Sequence, residues 1–219
     1  MKVYLEVGRR RTFACAVDWM GWCRSGKTEE DALRALVDYG PRYMQALGDL
    51  ATDLKLPRAI DELDVVGRYE GDATTDFGAP GAIPDSDRRD TSADEVDRLV
   101  EMLEAAWRTF DAAADAARGN ILAPAGPRGG GRELEKIREH VSGADQSYTG
   151  AIGGKAPRED EVWPPVRRAF VEAVRARARG EIPDRGPRGG VRWPARYAIR
   201  RSAWHALDHA WEIDDRAKS

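Results

Sequence analysis

The segment AWHALDHAWEIDDR, residues 203–216, decides how the second half of this chain folds. It contains neither Gly nor Pro, and Trp204, Leu207 and Trp211 recur at the three- and four-residue spacing of one helix face. Towards the N-terminus, Tyr197 continues the stripe and Trp193 with Pro194 opens it, proline being tolerated in a first turn. The helix is expected to end near Asp215. His205 and His209 lie one turn apart on it, so their side chains leave nearly the same face roughly 6 Å apart along the axis. Such a pair alone is more often a surface or core feature than a metal site. The chain has three histidines in all, and the third, His140, borders the apolar stripe of another helix.

That other helix follows the Gly-rich GPRGGGR segment and carries Leu134, Ile137, Val141, Ala144 and Tyr148 on its expected buried face. Before it, Ser92 with Glu95 has the form of a capping box, and Val96, Leu99, Val100, Leu103, Trp107 and Phe110 form a further stripe. Between them and the last helix, Pro164 and Pro165 open a helix carrying Val166, Phe170, Ala173 and Val174 and ending near Gly180. Four amphipathic helices of this size suit an antiparallel four-helix bundle over residues 91–219.

Upstream the period changes from helical to alternating. VYLEV and RTFACAV read as strands, Met20 and Gly21 as a turn, and the stretch near Trp22 and Cys23 as a third extended piece. Thr28, with Asp31 three residues on, caps a helix through Ala32, Leu33, Leu36, Val37, Tyr43, Met44 and Leu47, which Pro41 should bend or interrupt. Leu63 to Tyr69 reads as another strand. Residues 1–70 are therefore expected to form a small ββ(β)αβ domain, and 71–90, rich in Gly, Pro and Asp without periodicity, a linker or loop. The whole is α+β.

A net charge of -3, with acidic and basic residues spread along the chain, offers no basic face for nucleic acid. No apolar run approaches bilayer length and the first residues, MKVYLEVGRRR, lack the core of a signal peptide, so no membrane partner and a cytoplasmic location are expected. Cys15 and Cys23 match no metal or redox motif and are expected as reduced thiols. The preference for Arg over Lys and the abundance of Ala fit a GC-rich genome of actinobacterial kind.

A bundle can bring His140 against His205 and His209. Three neutral imidazoles suit a divalent ion, Zn or Ni first and Fe as a further candidate, and leave positions for water or substrate. Asp208, three residues after His205, and Glu212, three after His209, are the candidate catalytic carboxylates, to orient an imidazole or move a proton. The plainer reading pairs them with Arg201 or Arg216 on the helix surface. Trp204, Trp211 and Tyr148 read as core packing rather than substrate stacking. GPRGG occurs twice, at 126–130 and 186–190, each time leading into a histidine-bearing helix. The plain reading is a flexible loop; the functional one has Arg128 and Arg188 bind an anionic ligand or cosubstrate.

With KIREHVSGAD at 136–145 and AWHALDHAWEIDDR at 203–216, the segment from about Ser92 to Asp215 resembles the DinB-like (YfiT-like) family of metal-binding four-helix bundles. That family places one histidine on its second helix and a pair four residues apart on its last. Within Arg11 to Leu47, TFACAVDWMGWCRSGKTEEDALRAL resembles the HicB-like fold, which shares a strand, a Gly-Cys turn, a Thr cap and a helix. The resemblance implies two functions of different class. The first is a metal-dependent transferase, isomerase or hydrolase that activates a thiol or water for a small-molecule substrate, with mycothiol as candidate cosubstrate. The alternative is a non-catalytic, metal-stabilised binding or regulatory module with the HicB-like domain as partner surface; a homodimer is the candidate assembly. Trp19, Trp22 and Cys23 are candidates to cover the metal cleft, and the TTDFGAPG loop is long enough to bring Asp72 or Asp76 to it.

Overall fold

The structure is a computed structural model that describes residues 1–124, 131–156 and 165–217. It is α+β and divides into two compact units, Met1–Arg89 and Asp90–Ser219. Among the described residues no helix is long and apolar enough to cross a membrane.

The first unit is a four-stranded mixed sheet of order β3-β2-β1-β4, from β1 (Lys2–Val7), β2 (Thr12–Ala16), β3 (Cys23–Gly26) and β4 (Asp64–Glu70). β1 pairs antiparallel with β2, and β4 returns parallel to β1 after a helical crossover, which completes the expected ββ(β)αβ order. Gly21, at φ 85°, supplies the left-handed turn between β2 and β3. Thr28 caps α1 (Glu29–Asp38) through a full capping box with Asp31. Gly26 is required just before it, because a Cβ there would meet Asp31 and Ala32 at 2.4–2.5 Å. Pro41 lies in the first turn of a new helix, α2 (Gly40–Leu47), so the interruption expected of it becomes a restart.

Trp22 is fully buried in this unit, stacks on Tyr43 with ring centroids 4.9 Å apart, and donates its Nε1 hydrogen to the Leu36 carbonyl at 2.9 Å. It is core, not a cover for another site. The thiols expected to be reduced are joined as a Cys15–Cys23 disulfide. The reason is the register: in the β2/β3 ladder Cys15 and Cys23 are direct cross-strand partners.

Residues 71–89, read as a linker or loop, cluster with the sheet and carry two short helices, α3 (Ala73–Phe77) and α4 (Asp85–Arg88). Glu6 on β1, 1% exposed, holds them. Its carboxylate accepts from the Thr75 hydroxyl and from the backbone N–H groups of Gly81 and Ala82 at 2.9 and 2.8 Å. Asp72 caps α3, and Asp76 accepts the Arg10 N–H at 2.8 Å, so both carboxylates have structural work inside this unit.

The second unit is helical: α5 (Ala93–Ala116), α6 (Leu134–Ile152), α7 (Pro165–Ala178) and α8 (Ala195–Ala217). α5 lies along α8, while α6 packs on α7 and α8. The Ser92 hydroxyl accepts from the Glu95 N–H, and the Glu95 carboxylate pairs with Arg196, a 2% exposed guanidinium on α8. Leu103, Phe110, Ile137, Val166, Phe170, Ile199 and Leu207 fill the interior. α6 is turned relative to its expected face: Ala144 and Tyr148 are half-buried, whereas Asp145 and Thr149 point inward. Asp145 can do so because Ser202 on α8 donates to its Oδ1 at 2.6 Å. Pro164 and Arg128 lie outside the described residues.

Candidate metal centre

The packing of α6 on α8 brings the three histidines together. His140 comes from α6, His205 and His209 from successive turns of α8, and the ligand atoms they offer all lie within 4.8 Å of one another. The rings meet edge-on, with centroids 4.8 Å apart for His140 and His205, 5.1 Å for His140 and His209, and 4.7 Å for His205 and His209. His205 Nε2 faces His140 Nε2 at 3.1 Å. Two imidazole nitrogens sharing a tetrahedral ion at about 2.1 Å would be roughly 3.4 Å apart, so this pair is near the spacing an ion needs.

Burial sets the protonation of His140 and His205. His205 is 7% exposed and His209 9%, while His140 is half-buried and marks the accessible side. Desolvation, then the charges of His209 and Arg132, push His140 down to about 4. Desolvation holds His205 well below the ordinary imidazole range, reinforced by His209, His140, Arg201 and Arg132. At neutral pH these two rings are therefore uncharged and keep a lone pair each.

Glu212 fixes the third ring. Burial opposes its ionisation, but hydrogen bonds and charges from His209 and Arg216 outweigh that and hold its carboxyl below the usual range. As a carboxylate it can only accept, so the 2.8 Å bond to His209 Nδ1 is donated by the ring. With Nδ1 engaged by Glu212, Nε2 is the nitrogen His209 has left to offer a ligand. Arg216 donates to Glu212 Oε1 and to the Ala123 carbonyl, both at 2.7 Å, which anchors the carboxylate from behind. The two sequence readings of Glu212, orienting an imidazole and pairing with Arg216, are both met by one residue.

The donor set fits a first-row divalent ion. The rings of His140 and His205 are neutral, the three nitrogens converge, and the His209 ring is oriented by a carboxylate in the manner of metal-bound histidines. His205 Nδ1 is buried with no hydrogen-bond partner, so the position of its proton is governed from the Nε2 side.

Asp208 is half-buried on α8. Arg188 is exposed on a small closed turn, where the N–H groups of Gly186 and Gly189 are taken by the carbonyls of Gly190 and Gly186 at 2.8 and 2.9 Å. Those amides are not arranged for an anion. Tyr148, read as core, instead lies half-buried beside the cluster, its ring 6.1 Å from that of His205. Sequence reasoning gave no place at the site to Arg132 or Arg201. A helical projection marks Arg201 as one turn before His205, but no pattern links Arg132 to the cluster before α6 is docked.

The chain matches no protein-family model, no curated protein and no solved structure. The likeness to DinB-like and HicB-like proteins accordingly rests on the sequence motifs alone.

Proposed function

We propose that the second unit is a DinB-like four-helix bundle whose His140, His205 and His209 hold one divalent metal ion, and that the protein is a metal-dependent enzyme acting on a small molecule. Zinc or nickel suits the three imidazoles best, with iron as a further candidate. The observation that carries this reading is the convergence of three imidazole nitrogens, two of them on neutral rings and the third oriented by Glu212.

A divalent ion bound there would supply Lewis acidity, lowering the pKa of a thiol or water ligand so that transfer, isomerisation or hydrolysis proceeds near neutral pH. The chain's own contribution is positional. His205 and His209 present ring nitrogens from a nearly water-free wall, and His140 closes the triangle from the accessible side. Glu212 is a positioning residue that acts through His209, and Arg216 keeps it ionised. Mycothiol remains the thiol cosubstrate that the family likeness suggests.

The test is metal content after loading with zinc and exhaustive dialysis. The wild type should retain about one ion per chain and the H140A/H205A/H209A variant none. Equal content in the two proteins would remove the proposal.

A further inference from the structure

Helices α5 and α7 leave an open groove of about 480 Å³ between them. Trp107 and Val171, 3% and 9% exposed, form its narrow apolar floor. An ion pair across the helices marks each end. Asp111 holds Arg167 through bonds of 2.6 and 2.9 Å at one, and Asp97 holds Arg175 at 2.9 Å at the other. α7 therefore runs antiparallel to α5 along the groove.

Between these clasps the groove is lined by Glu104 and Arg108 on α5 and by Arg168 and Glu172 on α7. Because the helices are antiparallel, both carboxylates stand towards the Asp97–Arg175 end and both guanidiniums towards the Asp111–Arg167 end. All of these side chains are exposed, and none of them makes an ion pair or hydrogen bond among the described residues. Glu104 with Arg108, and Arg168 with Glu172, have the four-residue spacing at which helical ion pairs form, as Glu30 and Arg34 do on α1. Here the charges stay apart, as a cationic end and an anionic end of one groove.

That order makes the face complementary to itself. A two-fold axis through the middle of the groove reverses its direction, so the guanidinium end of one copy falls on the carboxylate end of the other. A uniformly acidic or uniformly basic partner would meet like charge at one end. An arginine side chain also has the form the cleft asks for, with methylenes to cover Trp107 and Val171 and a planar head to meet a carboxylate.

We infer that the α5/α7 groove is a docking face for a second copy of this chain, seated across a two-fold axis that sets Arg108 and Arg168 of each copy against Glu104 and Glu172 of the other. None of the three histidines takes part, so this interface is independent of the metal reading.

Sedimentation velocity of the intact chain tests it. The wild type should form a dimer that dissociates on dilution, and added salt should weaken it about tenfold, because exposed charge pairs are screened. Arg108→Glu/Arg168→Glu makes the groove acidic throughout, and Glu104→Arg/Glu172→Arg makes it basic throughout. Each variant alone should sediment as a monomer at concentrations where the wild type is a dimer. Mixed in equal amounts, the two should form a heterodimer, because each face now complements the other. Arg108→Gln/Arg168→Gln, which removes the pairs without adding repulsion, should weaken the dimer about tenfold, the summed strength of several exposed pairs. A wild type that stays monomeric at the highest concentration reached would overturn the inference. So would a dimer that survives in either charge-reversed variant, or a mixture of the two, each folded by circular dichroism, that remains monomeric.

Discussion

The two units differ in which buried polar groups they leave to be completed, although the first also leaves Ser86 Oγ buried without a partner. In the first, Glu6 is 1% exposed and its carboxylate accepts three hydrogen bonds, while the Tyr43 hydroxyl and the Trp22 indole donate to the Met20 and Leu36 carbonyls at 2.8 and 2.9 Å. In the second, His205 Nδ1 is buried without a partner, and two imidazole nitrogens face each other. A buried polar group left unsatisfied costs about 1–3 kcal/mol. Satisfied polar groups build a scaffold; unsatisfied ones, gathered from different helices, are where a ligand has something to complete.

The sharpest way to break this contrast is at Glu6. Glu6→Ala removes three hydrogen bonds to a buried carboxylate and frees the 71–89 segment. It should cost roughly 4 kcal/mol of stability in denaturant unfolding and leave zinc stoichiometry unchanged. Loss of metal with retained folding would mean that the first unit contributes to the site.

Asp145 comes next. Complete burial raises its pKa to about 7, against the partial relief given by Ser202, Arg167 and Trp107. Because the folded value lies above the unfolded one of 3.8, the protonated form is favoured by the fold. Its contribution to stability is full below pH 4, declines as pH rises from about 4 to about 7, and is gone above that. Comparing the wild type with Asp145→Asn across that window should show a difference of roughly 3 kcal/mol between its ends. Parallel stability curves would contradict the buried, protonated carboxyl.

A smaller effect is expected at Glu212. Glu212→Gln keeps the size but weakens the acceptor for His209 Nδ1, and zinc affinity measured by chelator competition should fall about 10- to 100-fold. Asp208→Asn should change it by less than about threefold, since the carboxylate bonded to a ring of the cluster is that of Glu212. The reverse order would exchange the roles of the two carboxylates. The smallest effect belongs to Ser92→Ala, which removes the N-cap of α5 and should cost about 1 kcal/mol with metal binding intact.

Local chemistry was legible where it acts locally. The Thr28 capping box, the Ser92 cap, the strands and the restart at Pro41 follow from neighbouring residues, and so does the spacing of His205 and His209. What stayed hidden depends on partners distant in sequence. The inward turn of Asp145 needs Ser202, 57 residues away, because an apolar stripe alone selects Ala144 and Tyr148 instead. The docking of 71–89 needs Glu6, whose carboxylate reads in the sequence as an ordinary strand residue. The Cys15–Cys23 pairing needs the β2/β3 register, which the spacing of the two cysteines does not state. The meeting of His140 with the other two histidines was expected from a bundle and is present in the fold, whereas the arginines around them emerge only when α6 and α8 are docked.

The most direct test of the account is a crystal structure of zinc-loaded protein with an anomalous difference map calculated from data on both sides of the zinc edge. The account predicts one peak about 2.1 Å from the Nε2 atoms of His140, His205 and His209, with Glu212 still bonded to His209 Nδ1. No peak there, or three imidazoles that hydrogen-bond to one another around an empty centre, would contradict it.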